Sequence, residues 1–285
     1  MGALFGPGGN SEEFYASGKK STAEAPEWIK NYGLDAYEYQ AGNGITAGEE
    51  SLAKVGKAAA EAGIKMSLHT PYFISLSGVE TEKRLKSLEY MRKSLWASKL
   101  IGADTMVIHA GSAAKLSRAE AMKLASDTLS RAAEEFEGES VAFGIETMGK
   151  VNQLGTLEEV IELCKISKLF SPVVDFGHMN ARNLGGYYTC KDDYKRTFET
   201  IGELLGDEYA RHLHCHFSKI EYTGSGEKKH VRFEDEGFEP PFEPLCEYLA
   251  ESGLEPRIIC ESAGTMAHDA LQMKKAYLAA KADLK

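Results

Sequence analysis

The sequence has no long apolar run and no excess of positive charge. No stretch approaches the ~18 consecutive apolar residues of a membrane-spanning helix, so we expect no membrane partner. Lysine and arginine number 33 against 43 aspartates and glutamates, which gives a net charge of −10. This balance argues against broad attraction to nucleic acids or anionic lipids. A local basic rim, or cations bound in a cleft, would not show in that total.

Cysteine is scarce, and its spacing excludes the common thiolate sites. The five cysteines lie too far apart for a C-x-x-C zinc motif. The first residues carry neither a basic segment nor an apolar run, so they do not indicate a secretory signal. We therefore expect the thiols to be buried and reduced, and the protein to be soluble and cytoplasmic. The sequence indicates no protein partner.

What the sequence does contain is a regular alternation of short apolar runs and longer amphipathic segments. Ser117 with Glu120, and Thr156 with Glu159, form the capping boxes that begin two of the helices. Eight strand–helix units follow one another over residues 1–285 without a low-complexity linker. Such alternation predicts parallel strands, and eight units predict a single-domain (β/α)8 TIM barrel of the α/β class. An open doubly wound sheet is the alternative, but residues 6–9 do not match its phosphate-binding glycine fingerprint.

Side chains that bind metals recur at the carboxyl ends of six successive strands. In a parallel barrel these ends open at one mouth, where active sites form. His214 and His216 are two residues apart on a strand and therefore face the same way. We place His212 at the leading end of that strand and interpret His268 as structural, so both are left out. The candidate ligands are His69, His109, Glu146, Asp175, His178, His214, His216, His230 and Glu261.

The number of candidate ligands favours a metal site over separate structural roles. Each residue alone could belong to a hydrogen bond or a salt bridge, but together they would leave buried charge without a cation. Imidazole and carboxylate without thiolate suit zinc, manganese or iron, whereas magnesium and calcium prefer oxygen ligands. A single catalytic zinc uses about three protein ligands. The surplus therefore predicts two or three ions.

At these residues the sequence resembles the endonuclease IV family of zinc-dependent apurinic/apyrimidinic endonucleases, within the larger group of xylose-isomerase-like barrels. Each motif is weak alone, but together they follow the family order and cover nearly the whole chain. The matching segments are His69-Thr-Pro-Tyr72-Phe-Ile-Ser-Leu76, Val107-Ile-His109-Ala-Gly111, Ile145-Glu146-Thr-Met148, Asp175-Phe-Gly-His178, His214-Cys-His216-Phe-Ser-Lys219, His230 and Cys260-Glu261-Ser262.

The resemblance implies a zinc-dependent hydrolase that cleaves double-stranded DNA 5′ to an abasic site during base excision repair. Family members hold three zinc ions, which activate a water and neutralise the leaving oxygen. The implied catalytic residues are Glu146 and Glu261. The implied ligands are His69, His109 and Glu146 for the first ion, Glu146, Asp175, His214 and Glu261 for the second, and His178 and His230 for the third.

The resemblance also implies a DNA-contacting surface. Tyr72 matches a tyrosine that contacts DNA near the lesion. The loop after the seventh strand concentrates basic residues that could contact phosphates, although an ordinary solvated loop explains them equally well. The predicted DNA-contacting residues are Tyr72, Lys219, Lys228, Lys229 and Arg232.

The sequence departs from the family pattern at the third ion. The usual Asp-Arg-His triplet reads Lys228-Lys229-His230, so the expected aspartate ligand is missing, and Glu227 is adjacent but displaced. His216 stands where members usually have asparagine. We expect His216 or a water to replace the lost aspartate, or the third site to be weak.

A sugar or sugar-phosphate isomerase or epimerase of the same barrel group is the alternative function. Such enzymes often hold one metal with Glu, Asp, His and Glu, which Glu146, Asp175, His214 and Glu261 could supply. The acidic net charge suits a small sugar better than DNA, but the remaining histidines are superfluous to a single metal. A non-catalytic metal-binding scaffold is disfavoured, because no thiolates close the mouth.

Overall fold

The computed structural model of the protein describes residues 2–284 and contains ten strands and eleven α-helices in that range. The strands are β1 Leu4–Pro7, β2 Ala36–Gln40, β3 Lys65–His69, β4 Ala103–His109, β5 Ala142–Glu146, β6 Phe170–Asp175, β7 His214–Phe217, β8 Lys219–Thr223, β9 Gly226–Val231 and β10 Arg257–Cys260. The helices are α1 Glu12–Ala16, α2 Ala25–Tyr32, α3 Glu49–Ala62, α4 Thr81–Ile101, α5 Arg118–Glu135, α6 Leu157–Cys164, α7 Phe176–Arg182, α8 Lys191–Leu205, α9 Asp207–Arg211, α10 Glu243–Ser252 and α11 Met266–Asp283.

Eight parallel strands form one sheet in the order β1-β10-β7-β6-β5-β4-β3-β2. The two end strands meet, because the amide of Gly9 donates to Glu38 O at 3.0 Å and that of Asp35 to Phe5 O at 2.9 Å. These contacts close the sheet around a common axis. The predicted single (β/α)8 barrel is therefore confirmed.

Local signals set the beginnings of the helices that surround the barrel. The capping boxes predicted for Ser117 and Thr156 are both present, with the side chains of Glu120 and Glu159 reaching back to the cap residues. The apolar core lies between the helices and the sheet and includes fully buried Phe143 and Phe170. Within residues 2–284, no helix combines the length and hydrophobicity needed to cross a membrane.

Two features near the seventh barrel strand differ from expectation. β7 begins at His214, and His212 instead follows the short helix α9 with an exposed side chain. The long loop expected after β7 is an antiparallel hairpin of β8 and β9. The hairpin has a bulge: Glu221 pairs with Lys229 and Tyr222 with Glu227, so Lys228 is left as an extra residue. This bulge decides which side chains of β9 face the mouth.

Candidate metal centre

Four groups of imidazoles and carboxylates lie near the carboxyl ends of the barrel strands, and three of them share Glu146 or His216. Within each group the potential ligand atoms lie within 4.8 Å of one another. The first group consists of His69, His109 and Glu146, and the second group of Glu146, Asp175, His216 and Glu261. The third group consists of His178, Glu227 and His230, and the deep group of Glu38, His214 and His216.

The first group comes from three adjacent strands, β3, β4 and β5. Glu146 Oε2 lies 3.1 Å from His109 Nε2 and 3.6 Å from His69 Nε2. His69 Nδ1 is 2.9 Å from the carbonyl of Thr70, which can only accept, so Nδ1 carries the proton. Nε2 of His69 is therefore the nitrogen that faces Glu146 and the rest of the group.

The second group shares Glu146 with the first group. Glu146 Oε1 lies 2.9 Å from His216 Nδ1, and Glu261 Oε2 lies 3.5 Å from the same nitrogen. Asp175 pairs in register with His216 across β6 and β7. Its Oδ1 accepts from the amide of His178 at 2.7 Å at the start of α7. One carboxylate oxygen of Asp175 is therefore used by the backbone, and the other is left for the group.

The third group joins helix α7 to the hairpin. His178 Nε2 lies 3.5 Å from Glu227 Oε2, and His230 Nε2 lies 4.0 Å from Glu227 Oε1. His178 Nδ1 donates to Thr147 O at 2.9 Å, and His230 Nδ1 lies 2.7 Å from Ser218 Oγ. These partners occupy the outer nitrogens and leave both Nε2 atoms facing Glu227.

The third group includes Glu227, which in the sequence is adjacent to the missing aspartate but displaced. Residues three apart on a regular strand point to opposite faces, but the bulge at Lys228 brings Glu227 and His230 to the same face. Of the alternatives offered for the lost aspartate, the geometry does not favour replacement by His216. His216 lies in the second group and the deep group, and not with His178 and His230.

The deep group corrects the predicted place of His214. His214 lies one strand repeat below His216, and its Nε2 donates to Glu38 Oε2 at 3.0 Å. It is therefore not assembled with Glu146, Asp175 and Glu261, where the sequence predicted it. Glu38 itself was missed, although a glutamate between Tyr37 and Tyr39 on a buried strand was a usable signal.

Electrostatics in the mouth are dominated by coupling between buried carboxylates and imidazoles. Burial alone would raise the pKa of Glu146, but the charge of His216 and the neighbouring imidazoles of His109 and His69 lower it well below its usual value. Burial opposes protonation of His178, yet Asp175 and Glu227 outweigh it and raise the pKa of His178 to about 9. The pKa of Asp175 is raised, chiefly by burial. Protons on the imidazoles thus offset the negative charge of the buried carboxylates, and divalent cations could take the place of those protons.

The residues present fit bound divalent cations. Glu146 Oε2 and Asp175 Oδ2 are buried and, within residues 2–284, have no hydrogen-bond partner. Buried carboxylate oxygens rarely stay unpaired, because their desolvation is costly. They face imidazole nitrogens that could coordinate a cation once their protons are released. Nitrogen and oxygen donors without thiolates are typical of zinc, manganese or iron sites.

The predicted DNA-contacting residues fall into two sets: Tyr72 is exposed at the rim of the mouth, whereas the basic residues have partners within the protein. Tyr72 is 58% exposed, and its ring centroid lies 5.5 Å from that of His109 at the rim of the mouth. Its ring packs on Gly42, where a Cβ would come within 2.2 Å of a ring carbon. The exposed ring is therefore held in place beside the first group.

The four predicted basic contacts already have partners within the protein. Lys219 Nζ donates to Phe233 O at 2.7 Å and Arg232 pairs with Glu12 at 2.8 Å. Lys228 and Lys229 both pair with Glu221, at 2.5 and 3.4 Å. Three of these residues are thus in ion pairs, and the fourth, Lys219, donates to main-chain carbonyls. Exposed His212 and His268 lie outside the four groups, consistent with their exclusion.

Sequence comparisons relate the chain to xylose isomerase-like barrels and to a protein named as a probable endonuclease. A profile of xylose isomerase-like TIM barrels matches residues 26–279. An uncharacterized protein of Methanocaldococcus jannaschii is 27% identical over 256 residues, which cover 89% of this chain and 91% of the relative. A probable endonuclease 4 of Acholeplasma laidlawii is 28% identical over 174 residues, 59% of this chain and 58% of that protein.

Solved structures with the same fold include both nucleases and epimerases. A D-tagatose 3-epimerase-like protein has a TM-score of 0.72 at 19% identity and covers 98% of both chains. Endonuclease IV from Thermus thermophilus has a TM-score of 0.70 at 17% identity, covering 98% of this chain and 99% of its own. At these identities the likeness establishes the fold alone, and function has to be argued from the site.

Proposed function

The chain belongs to the xylose isomerase-like TIM barrel family, and from that premise we propose that it is a zinc-dependent endonuclease that hydrolyses DNA 5′ to an abasic site. The observation that carries this proposal is the third group. His178, Glu227 and His230 complete a three-residue cation site beside two others. An enzyme that uses one metal has no need of it. The sequence relative named probable endonuclease 4 supports the same conclusion.

The side chains have separable tasks in this proposal. Zinc ions held by the three groups would lower the pKa of water and neutralise charge on the phosphate and the leaving oxygen. Glu146 belongs to the first and second groups at once and fixes their spacing. Glu261 has a side chain 15% exposed and lies on the open side of the second group, where it can orient the attacking water. Manganese or iron would satisfy the same donors.

Tyr72 is proposed to contact the abasic nucleotide at the rim. Partial burial and the nearby carboxylates of Glu261 and Glu146 raise its pKa to about 12, so the phenol keeps its proton at neutral pH and can donate a hydrogen bond. Its exposed face offers a stacking surface of the kind that unpaired nucleotides use. Because the basic residues of the hairpin are paired internally, the metal ions would supply most of the attraction for phosphate.

A sugar epimerase or isomerase is the second candidate, and two observations favour it. The second group alone provides the Glu, Asp, His and Glu set that a one-metal sugar enzyme needs. The net charge of −10 also suits a small neutral substrate. In that case the third group would be dispensable for turnover.

One set of assays separates the two candidates. The zinc-loaded protein is incubated with a duplex carrying one abasic site, with the same duplex intact, and with ketohexoses. We expect cleavage of the abasic duplex only, lost with a chelator and in Glu261→Gln. Glu227→Gln should also abolish cleavage if the third group takes part. Sugar epimerisation that survives in Glu227→Gln, without DNA cleavage, would replace the nuclease proposal with the second candidate.

We also propose that the protein works in the cytoplasm. All five cysteines are free, and four of them are buried. Free thiols in this number are typical of proteins from reducing compartments. Measuring the free thiol content of protein isolated from its native cells would test the assignment.

A further inference from the structure

Strand β2 supports the second group from below with two inward-facing side chains. Glu38 and Gln40 are two residues apart and therefore point to the same side of the strand. Glu38 is fully buried, and its carboxylate accepts from Ser67 Oγ at 2.9 Å and from Gln40 Nε2 at 3.2 Å. Gln40 Nε2 also lies 3.5 Å from Glu261 Oε1. The pair thus connects a buried carboxylate directly to the second group.

The histidines of the first and third groups show how an imidazole is aimed in this protein. His69, His178 and His230 each present Nε2 to their group, while an oxygen holds Nδ1 on the outer side. That oxygen belongs to Thr70, Thr147 and Ser218, at 2.9, 2.9 and 2.7 Å. In each case the outer contact fixes the ring plane and the nitrogen that remains for a cation.

His216 is arranged the other way round. Its Nδ1 faces the second group, 2.9 Å from Glu146 Oε1, so Nε2 is the outer nitrogen. The atom beside Nε2 is Glu38 Oε1, at 3.0 Å. The N–H of His216 is not aligned with that oxygen while Nδ1 bonds to Glu146. A cation at Nδ1 would take the place of that second bond and leave Glu38 as the partner that holds the ring.

We infer that Glu38 is the positioning residue for His216, holding Nδ1 toward the cation of the second group through a carboxylate–histidine–metal arrangement. The inference rests on the proposed metal site. Glu38 differs from the other outer partners because it is anionic, which makes the imidazole a stronger ligand. Ser67, Gln40 and His214 hold the carboxylate from its other sides, so its own position is fixed.

Zinc binding to the second group is the measurement that tests this role. Zinc per chain and zinc release to a competing chelator are compared for the wild type, Glu38→Gln and Glu38→Leu. We expect Glu38→Gln to keep an acceptor and to weaken one zinc by about 10- to 100-fold, the range for lost outer-shell partners. Glu38→Leu should lose that ion entirely. The zinc ions of the first and third groups should stay bound in both variants.

A second readout reports on the His216 ring itself. Long-range nitrogen–proton spectra of the zinc-loaded protein should show the His216 proton on Nε2 in the wild type and in Glu38→Gln. In Glu38→Leu that resonance should be lost or shifted. Asp269→Asn is the matched control, since Asp269 is a buried carboxylate on α11 that accepts from Phe233 N and Thr265 Oγ1. It should lower stability without weakening any zinc.

The outcomes separate this inference from the nuclease proposal. Unchanged zinc affinity in Glu38→Leu, or a wild-type His216 with its proton on Nδ1, would overturn the role of Glu38. Wild-type protein that binds zinc with the predicted sensitivity to Glu38 but does not cut abasic DNA would overturn the nuclease proposal and support this one. A wild-type protein that binds no zinc would overturn both.

Discussion

The two ends of the barrel neutralise their carboxylates in different ways. At the amino end, Asp104 pairs with Arg257 and Asp35 with Lys274, both at 2.7 Å. At the carboxyl end, imidazoles take that place, and among residues 2–284 no lysine or arginine pairs with Glu38, Glu146 or Asp175. Arginine and lysine keep their charge at neutral pH, whereas an imidazole can lose its proton and accept a metal. The amino end is thus held by permanent ion pairs, whereas the carboxyl end has donors that exchangeable cations could use.

The largest expected difference appears when one carboxylate is removed from the carboxyl end and, for comparison, one from the amino end. Glu146→Gln removes a ligand from the first and second groups together, so abasic-site cleavage should fall by about 10³-fold or more. Asp104→Asn, at the amino end, should leave cleavage within about two-fold. Initial rates on an abasic duplex and zinc per chain would check both variants. A Glu146→Gln protein with full zinc content and near-normal cleavage would contradict the assignment.

Removing the metal should destabilise the carboxyl end. A ligand that binds only the folded state stabilises it by about 3–4 kcal/mol when its free concentration is about 100 to 1,000 times its dissociation constant. For a chain of this size, that corresponds to a fall in melting temperature on the order of 10 °C when a chelator strips the protein. Scanning calorimetry with and without chelator would measure it. Asp104→Asn should show the same chelator effect as the wild type, since its pair lies at the other end.

The pH dependence of the metal-free protein should also distinguish the ends. The folded-state pKa of His178 is raised to about 9, mainly by Asp175 and Glu227 against the effect of burial. Its contribution to stability is therefore complete below the unfolded histidine pKa of about 6.5 and is lost as the pH rises toward 9. The pKa of Asp104 is lowered, because the bond to Arg257 outweighs burial, so its contribution is lost only in acid.

Melting temperatures of chelated protein between pH 6 and 10 would test this difference. The wild type should lose several degrees between pH 6.5 and pH 9. His178→Gln should reduce that loss, whereas Asp104→Asn should leave it unchanged. The same protons must leave when a cation binds, so zinc affinity should rise over this pH range. A flat profile in the wild type would mean that His178 is not held in its charged form.

The smallest effect is expected at the rim of the hairpin. Lys228 and Lys229 both pair with Glu221, and exposed ion pairs of this kind contribute little to folding stability. Lys228→Ala with Lys229→Ala should change the KM for abasic DNA by less than about two-fold and leave its salt dependence unaltered. A steep loss of DNA affinity in the double variant would show that these lysines leave Glu221 to bind phosphate.

Several elements were predictable because their signals are local. Strand–helix alternation and capping boxes such as Ser117 with Glu120 need only neighbouring residues, and both are present in the structure. Strand-end residues such as His69 and His109 could be assigned to one mouth because parallel strands end together. The hairpin of β8 and β9 was not foreseen, since its alternation is interrupted by the bulge at Lys228.

The sequence by itself determined the barrel and the set of imidazoles and carboxylates at its mouth, because periodicity and strand ends depend on residues that are close together along the chain. Only the tertiary structure decided which of them meet. Strand register put His216, and not His214, beside Asp175, and the bulge turned Glu227 toward His178. Closure of β2 onto β1 placed Glu38 beneath them. These contacts join residues from distant strands, and register and closure leave no local pattern from which to read them.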